Sequence, residues 1–215
     1  MFPYTATIYF HLLERYTAAL WPLPVVAGVL AVAALLLALR PLPGSGRAVA
    51  TLLAGAWLGV GGGFYLNHAV PLSYLAPPQG GLFLLQGLLL LWHGTVRNRL
   101  PFQYRGTAPH RAGLALAVAA LVAYPLLDGL ADSAWLGLRL AGLAPAPTML
   151  FTTGLLMLAR PPRHLLVLPF LWSLFAGFSA WRLAVPTDAA LPALALLALV
   201  LGVRRAQGSE DSQRR

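Results

Sequence analysis

Three threonines follow two prolines in an apolar stretch of this chain, and their hydroxyl groups could hold a ligand. Thr148, Thr152 and Thr153 come just after Pro145 and Pro147. Proline removes backbone hydrogen bonds, which leaves carbonyl groups for a hydroxyl or a ligand to satisfy. A short, proline-broken helix with polar side chains is typical of a binding site inside a membrane. The alternative is that each hydroxyl bonds back to its own helix.

Ionisable side chains near the ends of apolar segments are the second candidates for chemistry. Asp128, Arg182 and Asp188 are expected at a similar depth. An ionisable group in such a segment usually faces protein or water and has a partner. We therefore expect an Asp–Arg–Asp cluster, which serves either as ion pairing at helix ends or as a proton-coupling or anion-gating group.

Glu14 and His68 complete the set of candidate binding residues. Both are expected on the same side of the protein as His11, which precedes Glu14 by three residues. Carboxylates and imidazoles are metal ligands. Because no third histidine is expected on that side and the chain has no cysteine, we predict no metal site and no cofactor.

No catalytic motif accompanies these residues. The chain has no phosphate-binding loop, no Ser-His-Asp set and no H-E-x-x-H sequence. The absence of cysteine excludes disulfides, thiolate metal sites and cysteine nucleophiles. An intramembrane enzyme would need a buried nucleophile and base or a metal pair, so we do not expect an enzyme.

The composition places these residues in a membrane protein. Of 215 residues, 59% are hydrophobic and 10% are charged, whereas soluble domains carry about 25% charged residues. The mean hydropathy is +0.72, and the apolar residues form runs that approach the roughly 20 residues of a transmembrane helix. We predict an all-α polytopic bundle, with a single transmembrane domain over residues 1–203 and a disordered cytoplasmic tail over residues 204–215.

Seven apolar segments are predicted to cross the membrane, after a short amphipathic helix over Thr5–Leu20 that lies on its surface. The fifth segment is short, so it could begin near Leu140 with a break at Pro145. The predicted spans are Trp21–Leu39, Ala48–Leu66, Gly80–Val96, Ala112–Leu130, Pro147–Ala159, Leu165–Trp181 and Ala189–Val203.

The basic residues predict the orientation of these spans. The formal charge is +9, and the fifteen basic residues are all arginines that stand singly or in pairs beside apolar runs. This placement favours a role in topology over nucleic-acid binding. Twelve arginines fall on one side of a seven-span arrangement, and Arg15, Arg139 and Arg182 fall on the other. The positive-inside rule then predicts the cytoplasmic (inner) membrane, with the N-terminus outside and the C-terminus inside.

Two patterns suggest how the spans are arranged. Spans one to three and five to seven share spacings around an Arg-Pro turn, with Trp57 and Trp172 as equivalents. This favours a 3+1+3 parallel repeat, although Leu- and Ala-rich segments also align by chance. Gly55, Gly59 and Gly63 form a stripe that we expect to pack against span six, with a dimer interface as the alternative.

Several short stretches also resemble a known family. They are Glu14–Pro22, the Leu-Ala-Leu-Arg-Pro turn, Pro147–Leu156, Pro169–Trp172 and Val185–Asp188. Together they resemble a bacterial family of small multi-pass membrane proteins known as a domain of unknown function, over nearly the whole chain. The resemblance implies an integral membrane protein and no particular activity. The family pattern has a cysteine before Pro-Thr, where this chain has Ala146, so no thiol chemistry carries over.

These features favour a small-solute transporter or carrier whose site lies between spans 1–3 and 5–7. The alternative is a non-catalytic accessory or scaffold subunit of a membrane complex. The expected partners are the lipid bilayer and a small solute, and no nucleic acid; the oligomeric state is left open. A cavity between the halves favours the carrier, whereas a solid core favours the accessory role.

Overall fold

The structure, a computed structural model, describes residues 6–40, 42–130, 138–159, 161–183, 190–198 and 200. Within these residues it contains eight helices and no strand, so the prediction of an all-α fold is confirmed. The helices are α1 (Ala6–Ala19), α2 (Leu23–Leu39), α3 (Ser45–Gly59), α4 (Ala76–Leu90), α5 (Ala108–Val118), α6 (Tyr124–Leu130), α7 (Pro145–Leu158) and α8 (His164–Leu183). Residues 191–198 are also helical. The predicted tail, Asp188 and both ends of the predicted seventh span lie outside the described residues.

The number of spans is smaller than predicted when the described helices are judged by length and composition. Three are long and apolar enough to cross a membrane, namely Ser45–Ala69, Ala108–Leu130 and His164–Arg182. A fourth is added if α1 and α2, which meet at 91°, count as one broken span. By themselves α2 and α7 have 17 and 14 residues, which is short of the roughly 20 that a span needs. Seven spans are therefore not found by this measure.

Three of the long helices widen from α to π geometry along their length. The π segments are Val60–Ala69, Leu91–Val96 and Ala119–Ala123. Proline lacks an N–H and crowds the carbonyl four residues before it. Pro125 therefore favours π geometry in the segment Ala119–Ala123, which directly precedes it in the chain.

The short helix α7 is the centre of the bundle, because each of its fourteen residues is buried. It begins at Pro145, where the missing N–H of proline costs nothing, and it does not extend back to Leu140. Fourteen residues rise about 21 Å, which is less than the roughly 30 Å hydrocarbon core of a bilayer. Other segments must therefore cover both ends of α7.

Two loops cover these ends. At the C-terminal end, the Gln103 N–H donates to the Leu158 carbonyl over 3.2 Å, while Leu100 and Phe102 of the same loop are buried. At the N-terminal end, residues 138–144 lie across the first turn, and Gly142 adopts a φ of +94° that favours glycine. The backbone groups that a helix leaves unpaired at its ends are partly satisfied in this way.

Close glycine contacts join α5 to α7. A Cβ at Gly154 would lie 2.6 Å from the Gly113 carbonyl oxygen and 2.7 Å from the Ala117 nitrogen. Small residues let two helix backbones approach this closely. Gly154 therefore needs to be glycine because no side chain fits between these two helices.

The glycine stripe of α3 does not pack as predicted. A Cβ at Gly55 or Gly59 would meet nothing within 4 Å. Gly177 of α8, which we expected opposite this stripe, lies against Pro192 instead. The prediction of a contact between α3 and α8 through this stripe is wrong, since Gly55 and Gly59 border open space and Gly63 faces Tyr16 of α1.

Two tryptophans that the predicted repeat treats as equivalent occupy related positions. The ring centroids of Trp57 and Trp172 lie 4.3 and 5.5 Å from that of Phe83. Each indole N–H donates to a hydroxyl, from Trp57 to Thr152 over 2.8 Å and from Trp172 to Tyr65 over 3.1 Å. The 3+1+3 repeat itself stays a prediction.

We predict that Gly154→Ala destabilises the fold by about 1–3 kcal/mol, the usual cost of overpacking a core. Gly59→Ala is the matched control, because its new methyl group enters open space. The midpoint of thermal unfolding in detergent measures both. Equal midpoints for the two variants would contradict the close contact between α5 and α7.

Candidate functional site

A cavity of about 500 Å³ lies between helices from the two predicted halves. Its walls are the end of α1, one face of α2, the glycine stripe of α3, residues 141–143, and α7. The volume falls within the range of about 300–1,000 Å³ that is usual for small-molecule pockets. The lining is mostly apolar, and it includes two of the predicted site residues, Thr148 and Thr152.

The loop over residues 141–143 lies beside two helices at the edge of this cavity. A Cβ at Gly142 would lie 3.6 Å from the Ala27 Cβ of α2 and 3.8 Å from the Ala56 Cβ of α3. These are ordinary van der Waals distances, so the loop lies close to both helices. It forms one wall of the cavity, next to the open stripe at Gly55 and Gly59.

Thr148 joins the loop over residues 141–143 to α7. Its hydroxyl donates to the Ala144 carbonyl over 2.6 Å and accepts from the Gly142 N–H over 2.7 Å. Both hydrogen-bonding roles of this hydroxyl are used inside the protein. For Thr148, the alternative that the hydroxyl bonds its own helix agrees with the geometry.

Thr152 has a different arrangement. Its hydroxyl oxygen accepts from the Trp57 indole N–H over 2.8 Å, and both side chains are buried. Among the described residues the Thr152 hydroxyl donates to no acceptor, and Thr152 belongs to the cavity lining. Thr153, the third predicted threonine, is absent from the cavity lining, and its hydroxyl donates to the Met149 sulfur over 3.4 Å.

Asp128 forms a buried ion pair with Arg139, not with Arg182. The Arg139 Nη2 lies 2.6 Å from the Asp128 Oδ1, and Nε lies 3.0 Å from Oδ2. The Arg139 backbone N–H donates to the same Oδ2 over 2.9 Å. The two side chains are 3% and 1% exposed. A carboxylate with this many charge-assisted bonds is fully engaged.

Two aromatic rings flank the guanidinium group of this pair. The Arg139 Cζ lies 5.3 Å from the Phe10 ring centroid and 4.9 Å from that of Tyr124. Cation–π contacts at these distances are favourable, more so where water is excluded. Arg139 therefore ties the loop that precedes α7 to both α1 and α6.

The expected Asp–Arg–Asp cluster does not form among the described residues. Arg182 lies at the end of α8 with an exposed side chain, and Asp188 lies outside the described residues. The cluster was predicted because the three residues share a depth, but shared depth does not bring residues on different helices together. Neither Asp128 nor Arg182 lines the cavity.

Glu14 and His68 have separate partners. Glu14 forms an exposed ion pair with His11 over 3.4 Å. The His68 Nδ1 donates to the Gly63 carbonyl over 2.8 Å, and its ring meets the edge of Tyr16 with centroids 4.9 Å apart. In the part of the chain that the structure describes, no group of three or more potential metal-binding side chains occurs.

The structure also brings together two histidines, His93 and His164, that no sequence pattern pairs. The Nε2 atoms of His93 and His164 are 2.9 Å apart. One ring therefore donates to the other, which links the end of the π segment after α4 to the start of α8.

Comparison with known proteins gives one match. Residues 6–211 match the family of unknown function DUF6064. The chain belongs to this family. No curated protein and no solved structure matches it. The family covers nearly the whole chain, as the resemblance predicted, and it assigns no activity, so functional inference depends on the site.

Of the residues that line the cavity, the sequence pattern pointed to Thr148 and Thr152 as site residues and not to the others. Tyr16 and the alanines of α2 give no signal, because they are ordinary residues of amphipathic and apolar helices. The sequence contains a weak indication that Arg139 pairs with Asp128. Arg139 is one of three arginines on the predicted outer side, and it stands eleven residues after Asp128.

We predict that Asp128→Ala lowers the free energy of unfolding by about 3–5 kcal/mol, because it leaves Arg139 buried without its counter-charge. The double variant Asp128→Leu, Arg139→Met should be more stable than Asp128→Ala, since apolar residues of similar size can replace a buried pair. Chemical unfolding in detergent micelles measures both. A double variant less stable than Asp128→Ala would contradict a purely structural pair.

Proposed function

We propose that this protein is an integral membrane carrier that binds a small, uncharged solute in the cavity between α2, α3 and α7. The observation that carries the proposal is the cavity itself, which is walled by helices from both predicted halves. An accessory subunit needs no such space in its core. The lack of a charged side chain in the lining favours an uncharged solute, because a buried charge without a partner is costly.

The proposal includes seven spans in the cytoplasmic membrane, with the N-terminus outside. On this arrangement α1 lies on the outer surface, and α7 is a short span enclosed by other helices. The seven described arginines of the predicted inner side all have exposed side chains, as headgroup contacts require. They are Arg40, Arg47, Arg97, Arg99, Arg105, Arg111 and Arg163.

Cysteine labelling tests this topology, because the chain has no native cysteine to react. With seven spans, Tyr74→Cys should react with a membrane-impermeant maleimide in intact cells, and Pro101→Cys only after permeabilisation. Tyr74 is 72% exposed, and Pro101 is also exposed. If α4 does not cross the membrane, both positions will label on the same side, which would contradict seven spans.

Transport by purified protein in liposomes tests the carrier function. We expect protein-dependent movement of at least one of three labelled uncharged probes: glycerol, glucose and 1-monodecanoylglycerol. Gly55→Leu should reduce that movement to the level of empty liposomes, because the new side chain enters the cavity without meeting another atom at its Cβ.

Gly81→Leu is the matched control for this experiment. Gly81 is, like Gly55, an exposed helical glycine with nothing within 4 Å of its Cβ position, but it is absent from the cavity lining. It should transport like the wild type. Equal rates for the two variants, or no protein-dependent movement of any probe, would contradict the carrier and favour the accessory role.

A further inference from the structure

The cavity has few polar groups, and among them the Tyr16 hydroxyl indicates most directly what kind of ligand would bind. Its side chain is 2% exposed, and a Cβ at Gly63 would lie 3.3 Å from its hydroxyl oxygen. Both residues line the cavity. The Tyr16 hydroxyl has no hydrogen-bond partner among the described residues, and its oxygen is not fully enclosed. It therefore borders the cavity with its hydrogen-bonding positions open to a ligand.

The ionisation of Tyr16 fits a neutral hydrogen-bond donor. Burial raises the pKa of Tyr16 to about 12, because removal from water penalises the phenolate. The group therefore keeps its proton throughout the physiological pH range. It offers an O–H donor without a charge at the end of the cavity near α1.

Thr152 supplies a second hydroxyl to the lining, from α7. Its oxygen already accepts from Trp57, which leaves its proton for an acceptor in the cavity. The other two lining threonines are engaged elsewhere: Thr51 with the Arg47 carbonyl and Thr95, and Thr148 with the Ala144 carbonyl. The open polar positions of the cavity are therefore two neutral hydroxyl donors.

The rest of the cavity wall is apolar and favours a hydrocarbon group of a ligand. It is built from side chains such as Leu30 and Leu53 and from the small residues of α2 and α3. Apolar walls with a few placed polar groups bind ligands of the same character. A fatty-acid anion would have no cation to pair with among the lining residues, and a pure alkane would leave Tyr16 unpaired.

We infer that the cavity binds an uncharged amphiphile, in which an ester or hydroxyl head is held by Tyr16 and Thr152 and a hydrocarbon chain lies along α2 and α3. This inference rests on the proposed function, since it names the class of solute for the same cavity. A lipid-soluble molecule can reach the site past α2, whose outward residues Val25, Val29 and Val32 are exposed.

Equilibrium binding tests this inference without any transport step. Purified protein in phosphatidylcholine nanodiscs is titrated with tritiated 1-monodecanoylglycerol, with decanoate and decane as probes of matched chain length. We expect saturable binding of the monoacylglycerol only. Tyr16→Phe should weaken it about three- to tenfold, as the loss of one neutral hydrogen bond does.

Two glycine variants distinguish binding in the cavity from uptake at the lipid-facing surface. Gly55→Leu should abolish saturable binding, and Gly81→Leu should leave it unchanged. Non-saturable uptake that is equal in all variants, or tighter binding of decanoate than of the monoacylglycerol, would overturn the inference. Transport of glycerol or glucose without monoacylglycerol binding would overturn the inference of an amphiphile site, but it would agree with the proposed carrier function. Binding without movement of any probe would overturn the carrier alone.

Discussion

The complete burial of α7 is the constraint on which the rest of the structure depends. A helix buried on all sides can form no hydrogen bonds to water at its ends, so its unpaired N–H and C=O groups need partners from the protein. The loop that contains Gln103 meets the C-terminal end, and residues 138–144 meet the N-terminal end. The ion pair between Asp128 and Arg139 holds the second loop in place from α6.

The same loop connects this constraint to the site. Residues 141–143 are held over the start of α7 by the hydrogen bond from the Gly142 N–H to Thr148, and they lie beside Ala27 of α2 and Ala56 of α3. The loop therefore forms one wall of the cavity. Asp128 does not line the cavity, and its connection to the site runs through Arg139 in the loop that precedes α7.

The sequence predicted most helices well because long apolar runs and prolines mark where they begin and end. Pro145 and the arginine turns gave bounds within a few residues for α2, α7 and α8. Two of the errors share one cause, since a linear pattern does not say what lies opposite it. The stripe at Gly55 has the same spacing whether it meets a helix or a cavity, and the depth of Asp128 did not distinguish Arg139 from Arg182.

The central claim is that an uncharged amphiphile occupies the space between α2, α3 and α7. Photolabelling with a diazirine-bearing monoacylglycerol, followed by mass spectrometry of the adducts, tests it most directly. We expect saturable adducts on the cavity faces, at residues 27–34, 51–63 and 148–152, that excess unlabelled monoacylglycerol removes. Adducts confined to outward residues of α2 such as Val25 and Val29, and insensitive to that competitor, would contradict it.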